Sequence, residues 1–421
     1  MSKTSLSRKL GIRLSCKNRW VILLILFTTI LIAFIGRLTT SVALKEIGDE
    51  LVWSAAEKGF LGGVLMGIFL ISYGFSNVFL SPNIDKYGTK LVLVISMLGC
   101  SFAVFLGAYL GHIYSLFLIS RLILGLTQGV MFPVATKVIA GWYKKEKRSR
   151  ANSIFMMGAP VGVAIAPILM GPIIHLYNWQ YSFYVVAIIG VILAVPILLF
   201  IDDSPSDIDG GRTSNKDIDI KSAFKELLRD SDFKQVLIGF TTVTSFWWGI
   251  TLWAPTYLEQ VYDFQISEMA YVAAIPYAGA IFGLLIGSYV SDVKGNPNKI
   301  IMFSLFTTGI MIMILTLSQI SNPGTAITLL FLIFLLGQLA PPLFFTKLQN
   351  TISKDELGSA TGLMNGIANT FGIIGPVGVG SVVALTGSYD LGLLTLTVIV
   401  FTGLVGFFYT IRSNTLSYTN M

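Results

Sequence analysis

The chain has 421 residues, of which 54% are hydrophobic and 12% charged, and its mean hydropathy is +0.76. The charged share is about half that of ordinary soluble proteins, which excludes a soluble globular fold, and the apolar excess excludes a disordered chain. What remains is a polytopic membrane protein, whose net charge of +7 has to be explained by where its Lys and Arg fall.

A spanning helix needs about 20 mostly apolar residues. The first 19 residues are basic and lead into an apolar run with no small-residue cleavage site. That run is expected to be a retained helix, not a signal peptide. Six spans are expected over 20–43, 59–80, 91–110, 114–140, 151–174 and 181–201. A polar segment follows, 202–234, opening with Asp, Ser, Pro and Gly. Its later part puts Ile220, Phe224, Leu227 and Leu228 on one helical face, which suits a short amphipathic helix at the membrane surface. Six more spans are expected over 235–257, 270–290, 300–318, 326–345, 358–385 and 391–411. The expected architecture is all-α and integral to the membrane: an N-terminal six-helix bundle (1–201), a cytoplasmic linker (202–234) and a C-terminal six-helix bundle (235–421).

The basic residues alternate along this layout. The N-terminal tail has six Lys and Arg, alternate connections have two, five, six, two and two, and the C-terminal tail has one. The opposite loops hold only Lys45 and Lys58. Cytoplasmic loops collect Lys and Arg, so both termini are expected in the cytoplasm. The positive charge is then topological, and nucleic acid is not expected as a partner. The partners expected are the lipid bilayer and a small solute, with the chain acting as a monomer. Cys16 and Cys100 fit neither a metal motif nor a disulfide. There is no Walker loop, His112 and His175 are expected in short loops, and no cofactor or enzymatic site is expected.

An internal repeat links the halves. The second span is followed by SPNIDKYGTK, Ser81 to Lys90, and the eighth ends in SYVSDVKGNP, Ser288 to Pro297. Each contains Ser-x-x-x-Asp-x-x-Gly at a short turn, and Asp85 and Asp292 are 207 residues apart. Two six-helix halves with matching marks suit a transporter whose site lies at the midplane between them.

These turns resemble the signature of the major facilitator superfamily, G-x-L-a-D-x-x-G with following basic residues. Asp85, Gly88 and Lys90 match it, as do Asp292 and Gly295, with Ser81 and Ser288 in place of the first Gly. The resemblance implies a gating latch at these positions. Further segments are similar to the anion:cation symporter branch, which carries sugar acids, phosphate and other organic anions. They are GRLTTSVAL in the first span, RLILGLTQGVMFP with GWYKKEKRSRA around the fourth, and WAPTYL in the seventh. In the second span Tyr73 stands where the branch often has Tyr, and Asn77 where it often has Gln.

Arg37 lies deep in the first span, where an ionised side chain costs about 3 kcal/mol on insertion scales. No Asp or Glu lies inside any span away from its ends, so the simplest partner is an anionic substrate held by the guanidinium fork. The alternative is an Arg that reaches the interface or binds helix carbonyls. Arg121, Gly125 and Gln128 form an i, i+4, i+7 stripe in the fourth span. The resemblance assigns Arg121 either a structural or a coupling role, with direct substrate contact as the other option. Lys137 is expected only to reach toward the membrane surface. The branch's usual acid before the first-span Arg is Gly36 here, and its usual fourth-span Glu is Gln128. Gln cannot titrate, so coupling through a buried carboxylate is not expected.

In the eleventh span Asn365 and Asn369 are candidates for the cavity, alongside glycines that pack helices closely. Gln338 precedes Pro341 and Pro342 at an expected kink. Trp248, with Trp247, and Tyr277, after Pro276, are aromatic candidates. The expected function is alternating-access transport of a small organic anion. The rivals are an organophosphate:phosphate exchanger and a transporter-like anion sensor without turnover.

Overall fold

The computed structural model describes residues 18–53, 55–202, 225–262, 272, 274–318, 320–353 and 356–419. Among these the regular structure is all helical, with eleven helices long and apolar enough to cross a membrane and a shorter apolar helix over Val64–Leu80. The protein is a multi-pass membrane protein.

The twelve spanning elements are numbered in chain order. α1 is Arg19–Val42. α2 is Ala55–Phe75 and runs into a π-turn over Ser76–Leu80. α3 is Thr89–Leu110. α4 has two segments, Tyr114–Gln128 and Met131–Trp142. α5 is also in two, Arg148–Met156 and Gly158–Leu176. α6 is Trp179–Phe200. α7 is Ser231–Tyr262, α8 is Ala274–Lys294 and α9 is Pro297–Leu317. α10 breaks between Pro323–Gly337 and Pro341–Thr351, so Gln338 sits in the gap before the expected proline pair. α11 is Leu357–Gly372 and Ile374–Thr386, and α12 is Tyr389–Thr419.

The expected surface helix falls partly outside the described residues, which exclude Ile220 and Phe224. Leu227 is buried and Leu228 exposed. α7 starts earlier than expected, because the Asp230 carboxylate accepts from the Phe233 N–H at 2.7 Å and caps it.

α1 packs on α5 and α6, α3 on α4 and α6, and α2 on α4. In the second group α7 packs on α11 and α12, α8 on α10, and α9 on α10 and α12. The groups meet where α11 lies against α2 and α4, and where α5 lies against α8 and α10. Helix association inside lipid rests on close packing by small residues. At Gly362 a Cβ would meet the Asn77 carbonyl oxygen and the Ser81 side chain across the α2–α11 contact. Gly362→Ala is therefore expected to cost the conformation seen here about 1–3 kcal/mol. The check is the melting temperature in detergent together with accessibility of the α2–α11 seam to a thiol reagent.

The two matched turns have a common backbone reason. Gly88 has φ 92° and Gly295 φ 66°, a region that disfavours any residue with a Cβ.

Candidate functional site

A cavity lies between the two groups of helices. Phe34, Arg37 and Tyr73 line it from α1 and α2, with Trp247, Trp248, Gln338, Asn365 and Asn369 opposite them.

Arg37 is 8% exposed. Its guanidinium lies 4.4 Å from the Phe34 ring, 4.5 Å from Phe69 and 5.1 Å from Tyr73. Such ring faces attract a cation, and more strongly when water is excluded. Nε and Nη2 both donate to Gln128 Oε1, at 3.3 and 3.0 Å. Gln128 Nε2 in turn donates to the Ala33 carbonyl at 3.0 Å, which fixes the amide's orientation. Gln128 therefore stands behind Arg37 and is not part of the cavity wall. Arg121 is deeper still, 2% exposed. It donates to the carbonyls of Leu65 and Arg37, each at 3.3 Å, and tethers α1 and α2 to α4. No carboxylate is bonded to either guanidinium among the described residues.

The wall opposite Arg37 carries a directed chain of hydrogen bonds. Trp248 Nε1 can only donate, and it donates to Asn369 Oδ1 at 3.0 Å. This leaves Asn369 Nδ2 to donate to Asn365 Oδ1 at 3.0 Å. Asn365 Nδ2 then donates to Asn77 Oδ1 at 2.7 Å and to the Tyr73 hydroxyl at 3.1 Å. The chain crosses from α7 and α11 to α2 and ends beside Arg37. The Tyr73 oxygen already accepts, so its proton remains to be given elsewhere.

Tyr277 is placed apart. It packs against Trp247 and Phe334 at 6.2 and 5.3 Å between ring centroids and lines a smaller pocket with Pro255 and Pro276. Of the nine substrate candidates, six share the cavity wall: Arg37, Tyr73, Trp248, Gln338, Asn365 and Asn369. Arg121, Gln128 and Tyr277 are not among its lining residues.

The two matched turns lie at one end of the molecule and tie the groups of helices together there. Asp85 accepts from Lys137 Nζ at 2.6 Å, the N–H groups of Gly358 and Ser359 at 3.2 and 2.9 Å, and the Ser359 hydroxyl at 2.8 Å. A carboxylate thus faces the N-terminus of α11, where helix dipole and free N–H groups favour it. Burial pushes the Asp85 carboxyl above the usual carboxylate range, and Lys137 and the Ser359 donors pull it back. Lys137 does not simply reach to the membrane surface, as the sequence led us to expect: it is the counter-ion of Asp85. Asp292 repeats the theme with the N-terminal turn of α5, accepting from Arg150 Nε at 3.0 Å and Arg150 N at 3.4 Å. Lys90 lies in the first turn of α3, after Gly88.

Sequence reasoning missed several members of this seam. Arg148 donates to the Gln349 carbonyl at 2.7 Å and to Asn350 at 2.8 Å. Asn152 donates to Thr346 and Gln349 at 3.0 and 2.8 Å. Arg148 belongs to a basic loop that charge counting assigned to topology alone, and nothing in the sequence pairs it with α10.

A cavity between two helix bundles, closed below by paired turns at equivalent places, is the layout of a solute carrier. The sequence profile described as Major Facilitator Superfamily matches residues 26–376. The chain belongs to this superfamily, and is a transporter rather than an enzyme. It is 28% identical over 393 residues to the "Hexuronate transporter" of Bacillus subtilis (strain 168), covering 89% of this chain and 90% of the relative. It is 24% identical over 412 residues to the "Probable L-galactonate transporter" of Escherichia coli (strain K12), covering 93% and 88%. A third relative, the "Probable galactarate/D-glucarate transporter GudP" of Bacillus subtilis (strain 168), is 24% identical over 404 residues, covering 88% and 87%. These are transporters of the family's acid-sugar and organic-anion branch.

Proposed function

We propose that the protein carries a small organic anion, of the sugar-acid type named for its relatives, across the cell membrane by alternating access. The halves 1–201 and 235–421, joined by the linker 202–234, rock about the central cavity, and both termini face the cytoplasm. Asp85, Gly88, Lys90, Asp292 and Gly295 form the cytoplasmic latch. With the latch closed, as here, the cavity serves the outer face. Both walls of the cavity come from one chain, so the monomer is the working unit.

The observation that carries this reading is Arg37: a buried guanidinium at the cavity wall, backed by a neutral amide and with no carboxylate bonded to it among the described residues. A carboxylate on the solute completes the pair. Tyr73 supplies a second donor. The indoles and the amides of Gln338 and Asn369 suit an uncharged, hydroxyl-bearing body. A phosphate exchanger is disfavoured, because Lys347, a half-buried cation of the second half, is bonded to Gln235 and to Asn298 and does not line the cavity. Coupling does not run through a carboxylate beside Arg37, since Gln128 holds that place.

The test is counterflow of labelled sugar acids in proteoliposomes with no ion gradient imposed. Exchange is expected, and its absence for every acid that stabilises the protein would leave a receptor instead. Gln128→Glu provides a second check. A carboxylate about 3 Å from Arg37 would be held ionised and would compete with the solute. The KM is expected to rise about tenfold at neutral pH.

A further inference from the structure

A second opening lies on the outer flank of the α5–α8 contact. Arg150, Ser153 and Ile154 of α5 line one side, and Leu285, Ile286, Ser288 and Tyr289 of α8 the other. Its apolar wall is exposed: Ile286 is 45% and Tyr289 58% accessible. In a membrane protein such a wall faces acyl chains. The seam between the helices crosses it, with the Ser288 hydroxyl donating to Ser153 at 2.9 Å.

Arg150 stands at the polar end of the groove, over the Tyr289 ring at 5.1 Å. Its Nε is 3.0 Å from Asp292, yet the side chain is 45% exposed. A guanidinium has five N–H donors, so most of them remain open to a second acceptor. The matching seam on the other side of the molecule lacks this feature. There the cation facing Asp85 is Lys137, whose side chain is only 16% exposed.

We propose that this groove binds an anionic phospholipid, with its phosphate on the open edge of Arg150 and an acyl chain along Leu285 and Ile286. A cation beside an apolar channel, at the end of the molecule where basic loops collect, has the charge and shape for that occupant. The two walls belong to different halves, so the groove exists only while α5 and α8 meet. Lipid binds the conformation described here and is lost when the seam parts, so it favours the closed latch. The linkage to opening rests on the rocking motion proposed above; the binding itself does not.

Native mass spectrometry of the full chain, equilibrated with phosphatidylglycerol or phosphatidylcholine, tests the binding. Phosphatidylglycerol is expected to be retained preferentially, and Arg150→Ala to retain about fivefold less. Ile286→Trp fills the channel without touching the Arg150–Asp292 pair and is expected to lose the lipid as well, which separates lipid binding from damage to the latch. Retention by either variant equal to that of the parent protein, equal retention of the two lipids, or displacement by inorganic phosphate would overturn the site. Spin labels at the exposed positions Lys147 and Lys294, in nanodiscs of each lipid, test the linkage. Phosphatidylglycerol is expected to enrich the short distance. Retention of the lipid with no change in that distribution would overturn the linkage and leave the site.

Discussion

Arg37→Ala is expected to abolish anion exchange while leaving a folded protein. Truncating one partner of a desolvated charge pair costs about 2–5 kcal/mol or more, so solute affinity should fall from about 30-fold to several thousand-fold. The fold should survive because Arg37 has no ion-pair partner among the described residues, because its removal relieves charge repulsion on Arg121, and because the hydrogen bond from Arg121 Nη2 to the backbone carbonyl of residue 37 does not need the Arg37 side chain. Arg37→Lys keeps the charge but loses the planar fork that lies against Phe34 and Phe69 and reaches Gln128 through two nitrogens. It should show partial affinity. Scintillation proximity binding and counterflow on the same preparations check both, and wild-type exchange by Arg37→Ala would refute the anchor.

Asp85→Ala is expected to be the most damaging change at the latch. It would strand Lys137, 16% exposed, and leave the donors of Gly358 and Ser359 without their acceptor. Breaking a buried pair from one side costs about 3–5 kcal/mol. That penalty falls on the conformation closed at this end, so thiol reagents should reach the seam from this end far more often. Asp85→Asn keeps an acceptor for the α11 N–H groups and should fall between. Asp292→Asn should matter less, because its partner Arg150 is 45% exposed and solvent-screened pairs contribute about 0–1 kcal/mol. Labelling rates of one reporter cysteine in the three variants give the ranking, and equal effects at the two aspartates would contradict it.

The spans were readable because a membrane helix is a statement about composition over about 20 residues. The repeat was readable because Asp and Gly stand at equal spacing after the second and eighth spans. Both glycines have positive φ, a constraint that sequence displays directly as residue type. Helix interruptions were less visible. The break between Gln128 and Met131 has only Gly129 and Val130 to mark it, whereas Pro341 and Pro342 announced the one in α10. Contacts made across the chain were not legible at all. Lys137 meets Asp85 from 52 positions away, and Arg148 meets Gln349 from 201. Gln128 and Arg121 were sound as polar members of one helix face, but a periodicity cannot say that this face stacks behind Arg37 and not in front of it. Tyr277 shows the same ambiguity, since an aromatic beside a proline reads alike whether it meets a cavity or two other rings.

The neutral amide behind Arg37 also fixes an electrical account of the cycle. On the proposed anion transport, with Gln128 in that place no carboxyl beside Arg37 takes up a proton as a monoanion loads, so each solute carried alone would take its full negative charge through the membrane. A charge crossing 100 mV gains or loses about 2.3 kcal/mol, close to a fiftyfold concentration ratio. In a cell whose interior is negative, that bias drives an anion outward. Inward accumulation through this chain therefore requires a counter-anion leaving or a cation entering in the same cycle, and the current carried per solute distinguishes the two.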